Sequence, residues 1–369
     1  MMMTTRRLAF CLAALLLVAL LLVAGALRAP PALAQGFGWS AQTLGRIDGL
    51  IDLRASPHSP SGLIALTRDG GWRALAFDGE ALTDAGAAPF MGKLAPPEII
   101  PHGRVGVAPG APPAPDDPTA ATTPNAAWFE GATRRYGHGV LGDAVEGSVL
   151  QVAFADRRIL AHRLPESAVF EDLEPRILDA DGDGTLEVLA IKAYLDRGAT
   201  LALYAAPAGA DRLVELAEAA PIGRQNRWLN PAGAADFDGD GRPEIAVVRT
   251  PHIGGLLIHY AWDGASARLV EERRVAGYST HAIGSQALGL AAIHDMDADG
   301  RPDLVLPKQD RRMLAVVTVT DAGFAETARL MNPAPVAASL VVVDLDRDGD
   351  AEIVWGLEDG AIRALSRVD

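Results

Sequence analysis

The sequence predicts an all-β fold assembled from repeated units of three or four short strands. Three observations carry that prediction. Glycine and proline supply 38 and 25 of the 369 residues and aromatic residues only 5%, a composition that favours turn-rich strands over long helical bundles. An acidic nonapeptide recurs four times along the second half of the chain. Each copy is followed by a short apolar, β-branched run, the composition of a buried strand.

Taken from the N-terminus, residues 1–34 have the three parts of an export signal. These are Arg6 and Arg7, an almost unbroken apolar run from Leu8 to Leu27, and Ala32-Leu33-Ala34 before Gln35. The remainder, 35–369, is therefore expected in the periplasm or at the cell surface. A run of about 20 apolar residues also suffices to span a bilayer, so an uncleaved membrane anchor is the alternative. Cys11, the sole cysteine, lies inside this segment. An exported domain without it has no disulfide and must find stability elsewhere. The net charge of −14 argues against nucleic acid or an anionic membrane surface as partner, since both select basic patches.

Downstream, residues 61–77 read as a hairpin turning at Asp69-Gly70-Gly71. Residues 148–154 and 158–163 read as a second, turning at Ala155-Asp156-Arg157. Between them, 107–126 is rich in Pro, Ala and Thr without periodicity, and reads as an exposed insertion or linker. From residue 170 the repeat takes over. Asp179–Glu187, Asp236–Glu244, Asp295–Asp303 and Asp344–Glu352 all read D-x-D-x-D-G-x-x-[DE], with starts 57, 59 and 49 residues apart. The runs after them are Val188–Ile191, Ile245–Val248, Leu304–Leu306 and Ile353–Trp355. Several short strands in 50–60 residues is the period of a β-propeller blade. At that period 35–369 holds six blades, seven being the other count the length allows. Too few residues follow the last motif for a complete blade. A segment within 37–57 is expected to supply the missing strand, so that the two ends pair and close the ring.

The repeated loop has the chemistry of a hard-cation site. Positions 1, 3 and 5 hold Asp179, Asp181 and Asp183; Asp236, Asp238 and Asp240; Asp295, Asp297 and Asp299; Asp344, Asp346 and Asp348. Glycine at position 6 lets the position-7 carbonyl turn inward, here that of Thr185, Arg242, Arg301 and Asp350. Glu187, Glu244, Asp303 and Glu352 at position 9 close the shell. An all-oxygen set with no His or Cys suits Ca²⁺, and its flexibility suits Mg²⁺ less well. The helix-loop-helix calcium hand needs an acid at position 12, where Ala190, Val247, Leu306 and Trp355 stand. Plain polar turns also favour Asp-Gly, but they give no reason to repeat position 9, and four clustered carboxylates repel without a cation.

These motifs and their trailing strands resemble FG-GAP/VCBS repeats, the calcium-bearing blades of integrin α-subunit propellers and many bacterial exported proteins. The resemblance covers about 170–369. It implies that each acidic loop joins the first and second strands of a blade. The Phe-Gly…Gly-Ala-Pro element of the family is not recognisable, so the chain resembles the diverged bacterial form, and integrin-type ligand binding is not implied.

The loops on the face opposite the acidic repeats collect Tyr194, Arg197, Arg224, Arg227, Trp228, His252, Tyr278, His281, Lys308 and Arg311. Arg, Trp and Tyr are the residue types that dominate binding hot spots, so this is the candidate partner-binding face, weighed against ordinary solvated loops around a packing tryptophan. No zinc-protease helix, nucleophile elbow or phosphate loop occurs. The expectation is thus a monomeric binding or scaffold module for a protein or glycan partner in the cell envelope. A propeller-fold polysaccharide lyase or glycosidase is the alternative. Calcium in such a protein is structural: at tenfold excess over Kd, four independent sites contribute about 5–6 kcal/mol, comparable with a whole domain's stability. Chelation is accordingly expected to lower the melting temperature, and a melting curve indifferent to chelator would remove the structural role.

Overall fold

The computed structural model describes residues 32–33, 38–88 and 99–367, all of them strand, turn or loop. The export-signal reading of 1–34 falls outside the described residues, apart from Ala32 and Leu33. The sheets belong to the unit that begins at Leu33.

The strands form consecutive antiparallel sheets, each wound from one edge to the other. The first runs Leu50–Ala55, Leu63–Thr67, Trp72–Phe77 and Leu82–Ala87; the second Gly106–Val107, Pro124–Glu130, Val149–Phe154 and Ile159–Arg163. A nine-stranded sheet comes third. One half of it contains Arg176–Leu178, Glu187–Tyr194, Gly198–Ala205 and Val214–Glu218. The other contains Leu229–Ala235, Glu244–Arg249, Leu256–Asp263 and Arg268–Ala276. The halves touch through one parallel pair, Glu218 with Arg268. Next come Ala292–His294, Asp303–Pro307, Met313–Thr320 and Gly323–Met331. The last sheet takes Val341–Val343, Glu352–Gly356 and Ala361–Arg367 from the C-terminus and Trp39–Arg46 from the N-terminus. The expected pairing of the two ends is thus present, within the expected segment.

The second strand of each acidic unit is buried along almost its whole length because both its faces are covered. Side chains alternate across a strand, and the alternate sets go to different neighbours. Val188 and Ala190 pack with Ala127, Leu150 and Val152 of the preceding sheet. Leu189 and Ile191 pack with Ile245, Val247 and Ile258 of the other half of the nine-stranded sheet. Ala246 and Val248 turn instead to Leu304, Leu306 and Ala315. Val305 and Val316 meet Ile353 and Trp355, and Val354 meets Leu53, Leu63 and Leu75. The sheets therefore stack in series like blades, and their first strands face a shared cavity.

Segment 107–126 lies inside the second sheet. Val107 and Ala126 pair across its first two strands, and the Pro-rich stretch between them is an exposed loop. It joins first strand to second, the position that the acidic loops take elsewhere.

Closure rests on few residues. Trp39 is buried among Met296, Val316 and Trp355, and its Nε1 donates to the Met296 carbonyl at 2.7 Å. Trp39→Ala is expected to cost about 3–5 kcal/mol, read as a lower urea midpoint, whereas Ala at exposed Gln42 on the same strand leaves the midpoint within error.

Candidate metal centres and the opposite face

All four acidic loops fold alike, because each carboxylate has backbone work to do. The position-1 aspartate accepts from the position-6 glycine: Gly184 to Asp179 and Gly241 to Asp236 at 2.9 Å, Gly300 to Asp295 at 2.9 Å, Gly349 to Asp344 at 3.2 Å. Position 3 accepts from the position-5 amide, as Asp240 N to Asp238 at 3.2 Å shows. Position 5 accepts from the position-7 amide, those of Thr185, Arg242, Arg301 and Asp350. The position-9 acid begins the second strand and is buried in every copy. One of its oxygens accepts the position-2 amide: Ala180 to Glu187, Phe237 to Glu244, Met296 to Asp303 and Leu345 to Glu352, all at 2.9–3.0 Å. Each strand is thereby tied to its own loop.

Oxygen atoms converge accordingly. Asp236, Asp238, Asp240 and Glu244 bring ligand atoms within 4.8 Å of one another. So do Asp179, Asp181 and Glu187; Asp295, Asp297 and Asp299; and Asp344, Asp346 and Asp348. The donor sets are all carboxylate, which fits a hard divalent cation such as Ca²⁺. Burial, reinforced by the neighbouring aspartates, pushes Glu187 and Glu244 up to about 7. A cation relieves that crowding directly. Two loops carry partial internal neutralisation: Arg273 Nη2 lies 2.6 Å from Asp238 and Arg301 Nη2 lies 2.7 Å from Asp299. In the third loop the Thr318 hydroxyl bonds Asp303 Oδ1, and the converging set there is Asp295, Asp297 and Asp299 without Asp303.

Sequence reading identified glycine at position 6 but not the equal demand at position 4. There Gly182, Gly239, Ala298 and Arg347 all have positive φ, 80°, 78°, 61° and 65°. Two loops thus hold a non-glycine residue in the left-handed region, at about 1–2 kcal/mol each. The repeat alignment shows Gly, Gly, Ala, Arg at this position, and two glycines of four were the available signal.

The candidate partner-binding residues divide. Trp228, Tyr278 and His281 are buried, with Trp228 Nε1 on the Glu171 carbonyl, Tyr278 Oη on Glu326 and His281 Nε2 on the Ser285 carbonyl. Burial holds His281 down to about 3 and His252 to about 4, so neither adds positive charge. His252 stacks on Trp228 and bonds His281. Tyr194 donates to Glu218, Lys308 pairs with Glu326 and Arg311 donates to the Val336 carbonyl. Arg197 and Arg224 are exposed and Arg227 partly so; of these surface cations, Arg197 pairs with Asp196 at 3.3 Å and lies over the Tyr194 ring.

What the sequence did not reveal is a strap over this face. Residues 131–148 leave the second sheet and reach 282–288, where Gly284 N donates to the Val140 carbonyl at 2.9 Å. On the way Tyr136, Val140 and Leu141 pack with Leu173, Leu229 and Leu288. Tyr136 Oη accepts the Asn226 amide at 3.0 Å, and His138 Nδ1 forms a short hydrogen bond with buried Glu171 Oε1. Tyr136-Gly137-His138-Gly139 carries no motif of its own. Its partners lie 33 and 90 residues away, too far for any local pattern.

These features define a β-rich repeat protein with a carboxylate loop at one end of four successive units. An FG-GAP-like repeat family model matches residues 179–247 and 282–355, which between them contain all four loops, so the chain carries FG-GAP-like repeats in two regions. No curated protein matches it. Among solved structures, one chain of the Photorhabdus luminescens Tc holotoxin pore is similar over 91% of this chain and 15% of that one, at 14% identity and a TM-score of 0.43. The present chain therefore spans a small part of that much longer protein.

Glu146, in the strap, supplies a pH test. Burial, then Glu171, pushes its carboxyl up to about 9. An acid raised on folding carries a proton that the unfolded chain releases from about 4.5. Its contribution to stability is complete below that value and is lost as pH rises through about 9. Glu146→Gln is expected to flatten the pH dependence of the unfolding free energy between pH 5 and 9 and to raise stability at pH 8, measured by urea titration.

Proposed function

We propose that the chain is a six-bladed β-propeller, closed by its terminal strands, that is exported and acts as a calcium-stabilised binding or scaffold module for a protein or glycan partner in the cell envelope. The blade count comes from taking the nine-stranded sheet as two blades joined by the Glu218–Arg268 pair. Export rests on the signal-like segment 1–34. The molecule acts as a monomer, because N- and C-terminal strands already complete one another's edge.

One observation carries the reading. Four like loops are each fixed to their own strand by a buried carboxylate, so the cations serve the scaffold and not a single reactive centre. The convergent carboxylate oxygens of the four loops support four bound Ca²⁺ ions. The partner then meets the opposite face, where Arg197, Arg224 and Arg227 suit an acidic surface. The enzyme alternative, a polysaccharide lyase or glycosidase, is less favoured. The carboxylates nearest the central cavity, Asp52 and Glu174, stand beside guanidinium groups and lack the freedom of an acid–base pair.

Affinity capture from an envelope fraction, with calcium and with chelator, tests the proposal. A partner retained in calcium, and lost on chelation or in an Arg197→Glu/Arg224→Glu/Arg227→Glu variant, supports it. Release of sugar from a polymer by the purified protein overturns it in favour of the enzyme.

A further inference from the structure

Three histidines meet where the strap crosses the face opposite the acidic loops, and their hydrogen bonds fix which ring nitrogens carry protons. A neutral imidazole has one donor and one acceptor nitrogen. His281 Nε2 lies 2.8 Å from the Ser285 carbonyl, which only accepts, so the His281 acceptor is Nδ1. That nitrogen lies 2.9 Å from His252 Nε2. His252 therefore donates there, and its Nδ1 bears a lone pair. Burial keeps both rings neutral. With Glu171 ionised, His138 donates from Nδ1 and bears its lone pair on Nε2.

Neither His252 Nδ1 nor His138 Nε2 has a hydrogen-bond partner among the described residues, and neither is closed off from solvent. The His138 side chain is 19% exposed, His252 is half-buried, and a Cβ placed on Gly137 meets nothing within 4 Å. His259 is the contrast, since both its nitrogens lack partners but are sealed in the interior. Glu171 brings the two open nitrogens to one place. Its carboxylate holds His138 and its carbonyl accepts Trp228 Nε1, while His252 stacks on Trp228. The imidazoles are near enough for charge on His138 to bear on His252.

We propose that His138 Nε2 and His252 Nδ1 bind one divalent transition-metal ion of the imidazole-preferring kind, Zn²⁺ or Cu²⁺, with water completing its shell. Neutral imidazole suits these ions, whereas Ca²⁺ and Mg²⁺ take oxygen. A metal-bound histidine commonly gives its other nitrogen to a carboxylate or carbonyl. His138 does so to Glu171 directly, and His252 to the Ser285 carbonyl through His281. Charge agrees. Arg227 and Arg311 bear on the rings, but Glu171 and Glu146 are buried without a lysine or arginine paired to either among the described residues. Glu171 Oε2 has no partner at all. Burial opposes ionisation of Glu171, and a dication on His138 supplies the opposite charge it lacks. The site goes beyond the envelope-partner reading, because it needs no macromolecule, and it differs from the acidic loops in both face and donor atoms.

Titration of the purified, untagged chain with Zn²⁺ and with Cu²⁺ in millimolar calcium tests the assignment. One Zn²⁺ per chain is expected to bind at micromolar concentration, undisplaced by added Mg²⁺. One equivalent of Cu²⁺ is expected to show two coordinated nitrogens by electron paramagnetic resonance. His138→Gln and His252→Phe, each with an unchanged circular dichroism spectrum, should weaken Zn²⁺ binding at least tenfold, and Glu171→Gln several-fold. His58→Gln, at an exposed histidine elsewhere, should leave it unchanged. No saturable binding of either ion, a copper spectrum with fewer than two coordinated nitrogens, or Zn²⁺ binding undiminished in His138→Gln or His252→Phe overturns the proposal. The copper spectrum is read on the unaltered chain, so it decides the matter even where a variant fails to fold. No partner enters the experiment, so its failure leaves the envelope-partner reading standing.

Discussion

Each middle strand in this molecule buries two faces, and this constraint governs the rest. Val188 and Ala190 need the preceding sheet while Leu189 and Ile191 need the other half of the nine-stranded sheet, so no four-stranded unit is stable at the end of a stack. A series of such sheets is stable only if the first and last also find partners. The chain meets this by lending its N-terminal strand to the C-terminal sheet, with Trp39 packed beside Trp355. A single exchange of edge strands thus fixes both the order of the sheets and the position of their first strands around one cavity.

The acidic loops solve a related problem at the turn between first and second strand. Neighbouring sheets force these turns together: Gly182 approaches the backbone of Gly241 and Gly239 the side chain of Arg301. Short loops that bond their own amides through aspartate side chains fit such a space. The accompanying charge is what makes a cation useful, and the burial of Glu187 and Glu244 makes it more so. The Pro-rich loop of the second sheet occupies the equivalent place without the repeated acidic motif, holding only Asp116 and Asp117, and it lies exposed at the surface.

Sequence reading recovered the parts of the site whose members are near neighbours in the chain. The ligand spacing, the hairpins around Asp69-Gly70-Gly71 and Ala155-Asp156-Arg157, and the strand completing the last sheet all come from local pattern or from counting residues. It did not recover the roles of Trp228, Tyr278 and His281. A polar loop containing an aromatic residue reads the same whether that residue faces water or folds back. Here Trp228 turns inward because Glu171, 57 residues earlier, offers its carbonyl. Nor did it separate free from committed cations, since Lys308 and Arg311 find Glu326 and the Val336 carbonyl at ranges where no spacing rule applies.

By itself, then, the sequence determined the repeat, the donor chemistry of its loops and the all-β character, because each depends on residues within about a dozen positions, whose geometry the backbone enforces. Tertiary structure alone decided what stands around the central cavity. Arg54 meets Glu174 at a separation of 120 residues, Asp52 meets Ser339 at 287, and the strap crosses to Gly284. Arg104 meets Asp52 at 3.5 Å, a separation of tens of residues in the chain that only the stacking of sheets closes. Such meetings are set by the order in which sheets stack, and that order is a property of buried faces rather than of any one segment.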